Sequence, residues 1–142
     1  MTANKNSLRV TQFIHGERKK VFQAWTDADM VLKWLCPEEC LVIATEAKVD
    51  VGGIYRETMK CGSDIHTVFG TYREIIPNRK LIFTHQWEEP NAVQTEVAVD
   101  FADKDDGCQV TLTQKGFMDA TTAKGHEEGW ASALRNLAKQ FP

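Results

Sequence analysis

This sequence of 142 residues lacks several features that would assign it to a familiar class of protein. No segment approaches the ~20 consecutive apolar residues of a membrane-spanning helix. The beginning of the chain is charged, so we expect no signal peptide. The longest basic cluster is Arg18, Lys19 and Lys20, and the net charge is −3, whereas nucleic-acid-binding proteins usually carry a basic stripe. These absences favour a cytoplasmic protein that neither spans a membrane nor binds nucleic acid.

The four cysteines are few and form no standard metal or redox motif. Cys36 and Cys40 enclose three residues in "CPEEC", whereas structural zinc sites normally use two C-x2-C pairs. A thioredoxin-like pair also has the spacing C-x-x-C. Cys61 and Cys108 fall in or beside predicted turns. We therefore expect four reduced thiols in a cytoplasmic protein, no metal site and no cofactor.

The composition itself is that of an ordinary globular domain. Hydrophobic residues make up 42% of the chain and charged residues 26%, which argues against disorder. A chain of this length normally forms one domain with a sizeable core. We expect one domain over residues 1–142.

Most of the chain is predicted to be β-structure. From residue 41 onward, alternating stretches are separated by turns that contain Gly, Pro, Asn or Asp. The short connections make neighbouring strands antiparallel. The predicted strands span residues 7–14, 41–49, 54–60, 65–76, 80–87, 92–101 and 108–115.

Helical periodicity is confined to two regions. In residues 16–35, Val21, Phe22 and Trp25 share a face, and Thr26 or Asp27 is suited to cap a second short helix. Near the C-terminus, a longer helix carries one apolar stripe formed by Trp130, Leu134, Leu137 and Phe141. An antiparallel sheet needs cover on one face, and only this helix is long enough to supply it. The predicted fold is α+β: a seven-stranded curved antiparallel sheet around a long C-terminal helix, with two short helices between strands 1 and 2.

Strand alternation predicts which side chains face the helix. Two polar residues, Glu57 and His85, fall on otherwise apolar inner faces, between Tyr55 and Met59 and between Phe83 and Trp87. We expect Trp25 and Trp34 to be plain core residues. The residues predicted to face outward are Thr84, Gln86, Gln94, Glu96 and Thr111. The residues predicted to line a cavity are Tyr55, Glu57, Met59, Phe83, His85, Trp87, Val97, Trp130 and Leu134.

From about Leu8 to Phe141, the order and spacing of several segments resemble one known family. These segments include "VFQAWTDADMVLKW", "VGGIYRETM", "GTYREIIPNRKLIFTHQW" and "GWASALRNLAKQF". The chain resembles the heat-shock-protein-90 ATPase activator homologues of the START-like (SRPBCC) superfamily. The resemblance implies a helix-grip fold whose sheet and C-terminal helix enclose an apolar cavity, and a link to the stress response.

The sequence departs from the family pattern at two positions. His85 stands where the family often has an aromatic residue, and Cys36 stands where a glycine is common before the proline. Eukaryotic co-chaperones of the family carry an additional amino-terminal domain, for which this chain has no room. We therefore do not expect chaperone activation on the strength of the family name.

Three functions from different classes fit these observations. The first is a non-catalytic module that binds an apolar or lipid-like small molecule in the cavity. The second is a cyclase-type or hydrolase-type enzyme in which Glu57 and His85 transfer protons, although two strand spacings would separate them by ~10 Å. The third is a co-chaperone-like protein-interaction module. The polar outward residues argue against an interface on the sheet face, whereas association through a sheet edge or the helix ends, and a homodimer, stay open.

Overall fold

The computed structural model describes residues 6–37 and 39–142 of the chain. The predicted domain of residues 1–142 includes residues 1–5 and Glu38, which lie outside the described residues. The strands of the described residues are β1 (Ser7–Ile14), β2 (Cys40–Ala47), β3 (Ile54–Cys61), β4 (Asp64–Ile76), β5 (Lys80–Trp87), β6 (Thr95–Lys104) and β7 (Gly107–Lys115). The helices are α1 (Arg18–Thr26), α2 (Ala28–Trp34) and α3 (Ala120–Lys139).

The strands form one sheet in the order β1-β7-β6-β5-β4-β3-β2, and every neighbouring pair is antiparallel. The chain therefore runs as a meander from β2 to β7, and β1 joins the free edge of β7. Since α3 covers the inner face and α1 and α2 lie between the first two strands, the predicted α+β helix-grip fold is confirmed.

Side-chain caps begin two of the helices. The Asp27 carboxylate accepts hydrogen bonds from the backbone N–H groups of Asp29 and Met30, at 2.9 and 3.4 Å, which starts α2. The Asp119 carboxylate accepts one from Thr122 N at 2.8 Å, so α3 begins several residues before its apolar stripe. No helix in the described ranges combines the length and apolar character that a bilayer crossing requires.

The long helix packs mainly at the β1 edge of the sheet. Most of the backbone contacts of α3 are with β1, and α2 supplies others. Beyond its end, the Phe141 ring lies so close to Gly16 that a Cβ there would collide with it. The main backbone contacts of α3 therefore lie away from β3, β4 and β5.

A bulge at the centre of the sheet shapes its inner face. The β4–β5 register shifts between Tyr72 and Glu74, and a Cβ on Gly70 would collide with the carbonyl oxygen of Thr84. Tyr55 Oη donates a hydrogen bond of 2.6 Å to that carbonyl oxygen. Thr84, which is predicted to face outward, is only 5% exposed, and its hydroxyl accepts a hydrogen bond from Thr71 N of the neighbouring strand.

The expectation of four reduced thiols is wrong in this structure. Cys40 and Cys61 lie opposite each other at the ends of β2 and β3, and their sulfur atoms form a disulfide. Cys36 and Cys108 are free and buried. The short "CPEEC" spacing places Cys36 near Cys40 in the sequence, but the strand register pairs Cys40 with Cys61, 21 positions away.

Candidate ligand-binding cavity

A cavity of about 680 Å³ lies between the sheet and the N-terminal part of α3. Its walls come from the inner faces of β3, β4 and β5, from α2 and the end of α1, and from one face of α3. The residues of α3 that line the cavity recur every three or four positions and are Thr122, Gly125, His126, Gly129, Trp130 and Ala133. Exposed residues such as Asn91 and Met118 also line it, so the cavity opens to solvent at that end.

Seven of the nine predicted cavity residues lie in the cavity wall. They are Tyr55, Glu57, Met59, Phe83, His85, Trp87 and Trp130. The prediction is wrong for the other two, Val97 and Leu134, which are 0% exposed and belong to the core. Val97 lies on β6, between Phe83 of β5 and Gln114 of β7, in the half of the sheet on which the helices pack. Leu134 lies one position beyond Ala133, where the cavity ends along α3.

All four tryptophans contribute to the wall, including the two expected to be plain core. Trp25 and Trp34 are 7% and 1% exposed, and their ring centroids lie 4.6 Å apart. Trp34 Nε1 donates a hydrogen bond to the carbonyl oxygen of Ala24, at 2.9 Å. Trp25 also stacks on Trp130 with centroids 6.0 Å apart, which connects α1 to α3 across the end of the cavity.

A buried chain of hydrogen bonds holds Trp130 in place. Trp130 Nε1 donates to Gln114 Oε1 at 2.8 Å, and Gln114 Nε2 donates to Thr95 Oγ1 at 2.8 Å. Thr95 Oγ1 in turn donates to the carbonyl oxygen of His85 at 2.9 Å. Sequence reasoning missed Gln114, although it occupies the inward parity of β7 after Val110 and Leu112. The same signal, a polar residue at an inward position, had identified Glu57 and His85.

A second hydrogen bond joins the sheet to α3 near the mouth. Trp87 Nε1 donates to His126 Nε2 at 2.9 Å, and His126 Nδ1 lies 3.0 Å from the carbonyl oxygen of Thr122. These partners assign the neutral tautomer with its proton on Nδ1. The Phe117 ring, with its centroid 4.8 Å from that of His126, closes the same corner.

Glu57 projects a carboxyl group into an apolar part of the wall. Desolvation by burial raises its pKa from 4.5 to about 7, and a hydrogen bond from Thr45 partly opposes this shift. That bond, from Thr45 Oγ1 to Glu57 Oε2, is long at 3.4 Å. Near neutral pH the group is therefore divided between its neutral and ionised forms.

His85 is buried at 6% exposure and lies among rings. Burial lowers its pKa from 6.5 to about 3, and His126 contributes to the shift, so His85 is neutral at physiological pH. Its ring centroid lies 5.5 Å from that of Trp87 and 6.1 Å from that of Trp130. Its ring nitrogens have no hydrogen-bond partner within residues 6–37 and 39–142.

Glu57 and His85 flank the cavity but form no hydrogen bond or ion pair with each other. Glu57 on β3 lies opposite Val68 on β4, which lies opposite Trp87 on β5. His85 is two residues from Trp87 and on the same face of the sheet. One strand therefore separates the two groups, and a bound molecule can lie between them.

No three His, Cys, Asp or Glu side chains of the described chain cluster in a way that could hold a metal ion. Three of the four histidines, His66, His85 and His126, line the cavity, and the ring centroids of His85 and His126 lie 6.0 Å apart. His66 Nδ1 lies 3.0 Å from Glu89 Oε1 at the mouth, and His15 pairs with Asp106 elsewhere on the surface. The chemistry of this site is therefore that of an apolar cavity with a few polar groups.

Comparisons with known proteins agree with this architecture. Protein CV1439 from Chromobacterium violaceum has a similar structure, with a TM-score of 0.90 at 23% identity over 97% of this chain and 98% of that chain. The AHSA1 (SPO3351) protein from Silicibacter pomeroyi has a TM-score of 0.82 at 24% identity, over 94% of this chain and 96% of that chain. At these identities the likeness establishes the fold. A comparison with curated protein sequences finds no significant match.

The family model for "Activator of Hsp90 ATPase homolog 1-like protein" matches residues 16–141, which is most of the chain. The match begins just after β1 and extends through α3, so it includes every wall of the cavity described above. The chain therefore belongs to the Activator of Hsp90 ATPase homolog 1-like family, whose helix-grip fold supports ligand binding at the level of the family.

Proposed function

We propose that this protein is a non-catalytic binding domain for an apolar or lipid-like small molecule held between the sheet and α3. The observation that carries the proposal is the cavity of about 680 Å³, a volume typical of small-molecule sites. Its walls are largely aromatic and aliphatic, with a small number of polar groups that have no partner in the described chain. Such walls favour a ligand that is mostly apolar and is oriented by one or two polar atoms.

Two features support a rigid cavity rather than a gap that collapses. The hydrogen bond from Trp130 to Gln114 holds α3 on β7, and the one from Trp87 to His126 holds it on β5. Both indole N–H groups are engaged, so neither ring turns into the cavity without losing a bond. A preformed site binds without the cost of ordering its own walls.

Binding is favoured over the enzymatic alternative because Glu57 and His85 lie on strands separated by β4 and form no hydrogen bond with each other. Proton-transfer catalysis requires an acid and a base within hydrogen-bond reach of the reacting group. Each of these catalytic groups is usually also held by a hydrogen bond to an orienting partner. His85 has no such partner among the described residues, and Glu57 has only the long bond from Thr45.

A protein-interaction role has less support on the outer face of the sheet. Leu41 and Ile65 are 67% and 61% exposed, but both lie opposite Lys60 in the strand register. A charged side chain thus interrupts the apolar surface on the strands that carry these residues. Large contiguous patches, rather than scattered apolar residues, mark protein interfaces.

A thermal-shift screen with fatty acids, flavonoids, sterols and aromatic polyketides tests the proposal. A ligand present at 100 times its dissociation constant adds about 2.7 kcal/mol, or roughly 5 to 10 °C for a domain of this size. Gly129 lies on the cavity face of α3, so Gly129→Leu should obstruct part of the site and reduce the shift. Gly129→Ala is the matched control, because its Cβ would make only an ordinary contact of 3.8 Å with Pro37.

The result expected is a shift for at least one ligand class that survives in the alanine variant and is clearly smaller in the leucine variant. Absence of any shift across all classes would contradict the proposal. A shift of equal size in the leucine variant would place the ligand elsewhere and would contradict it as well.

A further inference from the structure

The charges on the cavity wall have one sign. The acidic side chains Glu57 and Glu89 line it, but the described part of the wall contains no Lys or Arg. Glu89 lies at the mouth, where its Oε1 is 3.0 Å from His66 Nδ1. Glu57 lies on the inner face of β3 and has no cationic partner in the described chain.

One oxygen of Glu57 is open to the cavity. Thr45 donates only to Oε2, at 3.4 Å, and no group of the described residues donates to Oε1. Since Oε1 has no partner in the described chain and is not sealed from solvent, it is accessible from the cavity. This half-buried carboxylate lacks the counterion or hydrogen bonds that normally compensate desolvation.

Aromatic rings lie beside this carboxyl group. Tyr55, Tyr72 and Phe83 form a cluster in which every pair of ring centroids lies between 5.4 and 6.0 Å apart. Glu57 is close enough that its charge adds to the effect of burial in raising the pKa of Tyr72. Aromatic faces attract cations, and the attraction is strongest where water is excluded.

We propose that the molecule bound in this cavity is an apolar amine whose ammonium group lies against Glu57, beside the rings of Tyr55, Tyr72 and Phe83. This inference rests on the proposed function and specifies its ligand class. The ammonium supplies the counterion that the wall lacks, and the hydrocarbon part lies along the remaining aromatic and aliphatic side chains. A fatty-acid carboxylate would instead meet a like charge at Glu57, so the geometry discriminates against the anionic lipids that an apolar cavity otherwise accepts.

The test uses decylamine, decanol and decanoate, which share one hydrocarbon chain and differ only in the charge of the head group. Each is titrated calorimetrically into the protein at about pH 8, where decylamine is cationic and Glu57 is mostly ionised. We expect decylamine to bind at least tenfold more tightly than decanol, and decanoate to bind most weakly. Glu57→Gln should remove most of the preference for decylamine over decanol. Glu74→Gln, which removes an exposed carboxylate from β4, should leave the preference unchanged and so controls for general attraction to an acidic protein.

The outcomes separate this inference from the proposed function. Decanol binding without any preference for decylamine, or a preference that persists undiminished in Glu57→Gln, would overturn the amine assignment and leave the binding function in place. Failure of all three probes to bind would overturn the amine assignment, and the thermal-shift screen decides the binding function separately. The order of affinities in the wild-type protein decides the matter even where a variant folds poorly, and circular dichroism checks the fold of each variant.

Discussion

Replacement of Glu57 by Gln should stabilise the folded protein at alkaline pH, where the wild-type chain holds an unpaired carboxylate in an apolar wall. Burial raises the pKa of Glu57 from 4.5 to about 7, so the folded state binds this proton more tightly than the unfolded state does. As the pH rises from 4.5 to about 7, the unfolded chain releases the proton first and the free energy of unfolding falls. The total loss is at most about 3 kcal/mol, and it is complete once the pH exceeds the folded-state value.

Urea unfolding of the wild-type protein and of Glu57→Gln between about pH 4 and pH 8 measures this effect. The two free energies of unfolding should be equal near pH 4 and should differ by up to about 3 kcal/mol near pH 8, the variant being more stable. Burial lowers the pKa of His85 to about 3, which destabilises both proteins as the pH falls below 6.5 and cancels in the difference. Tyr55 and Tyr72, which also face Glu57, have raised pKa values and remain protonated throughout this range.

Glu74→Gln provides the comparison, because Glu74 is exposed on β4 and its replacement should leave the pH profile unchanged. A difference between wild type and Glu57→Gln that stays constant across the pH range would refute the reasoning. A variant that is less stable than the wild type at pH 8 would refute it equally, since it would mean that the ionised carboxylate makes favourable interactions in the folded state.

Two further predictions concern the supports of the cavity. Trp130→Phe should lower the free energy of unfolding by about 2 kcal/mol, because it leaves the fully buried Gln114 Oε1 without a donor. In urea denaturation, adding Gln114→Leu should recover part of this loss. A second loss that adds to the first would contradict the coupling between the two residues. Reduction of the Cys40–Cys61 disulfide should lower the same quantity by about 3 kcal/mol, given the 21-residue separation, whereas a variant with both cysteines replaced by alanine should be insensitive to reductant. Equal stability of the wild-type protein with and without reductant would rule out a stabilising role for the disulfide.

The parts of the site that depend on the alternation of side chains along a β-strand could be predicted from the sequence. Alternation along β3 and β5 placed Tyr55, Glu57, Phe83 and His85 on inner faces, because successive strand side chains point to opposite sides of a sheet. The capping role of Asp27 likewise depends on residues two and three positions away, so local pattern was sufficient to predict it.

Features that depend on contacts between distant segments could not be obtained in this way. The pairing of Cys40 with Cys61 requires the β2–β3 register, and the burial of Thr84 depends on the close approach of Gly70 on the neighbouring strand. Leu134 belongs to the apolar stripe of α3, but whether a stripe residue faces a cavity or solid core depends on how far the helix stands from the sheet. The helical periodicity of the sequence carries no information about the distance between α3 and the sheet.

The placement of all four tryptophans in the cavity wall has a spectroscopic consequence. Every indole that emits in this protein borders the same space, and Trp25 is stacked close to both Trp34 and Trp130. Excitation absorbed by one ring of this group can pass to its neighbours before emission. Intrinsic fluorescence therefore reports occupancy of the cavity directly: a molecule that enters it alters the polarity around the emitting rings, and one that absorbs near their emission wavelength quenches them together. Ligand binding can thus be followed by the tryptophan fluorescence of the unlabelled protein.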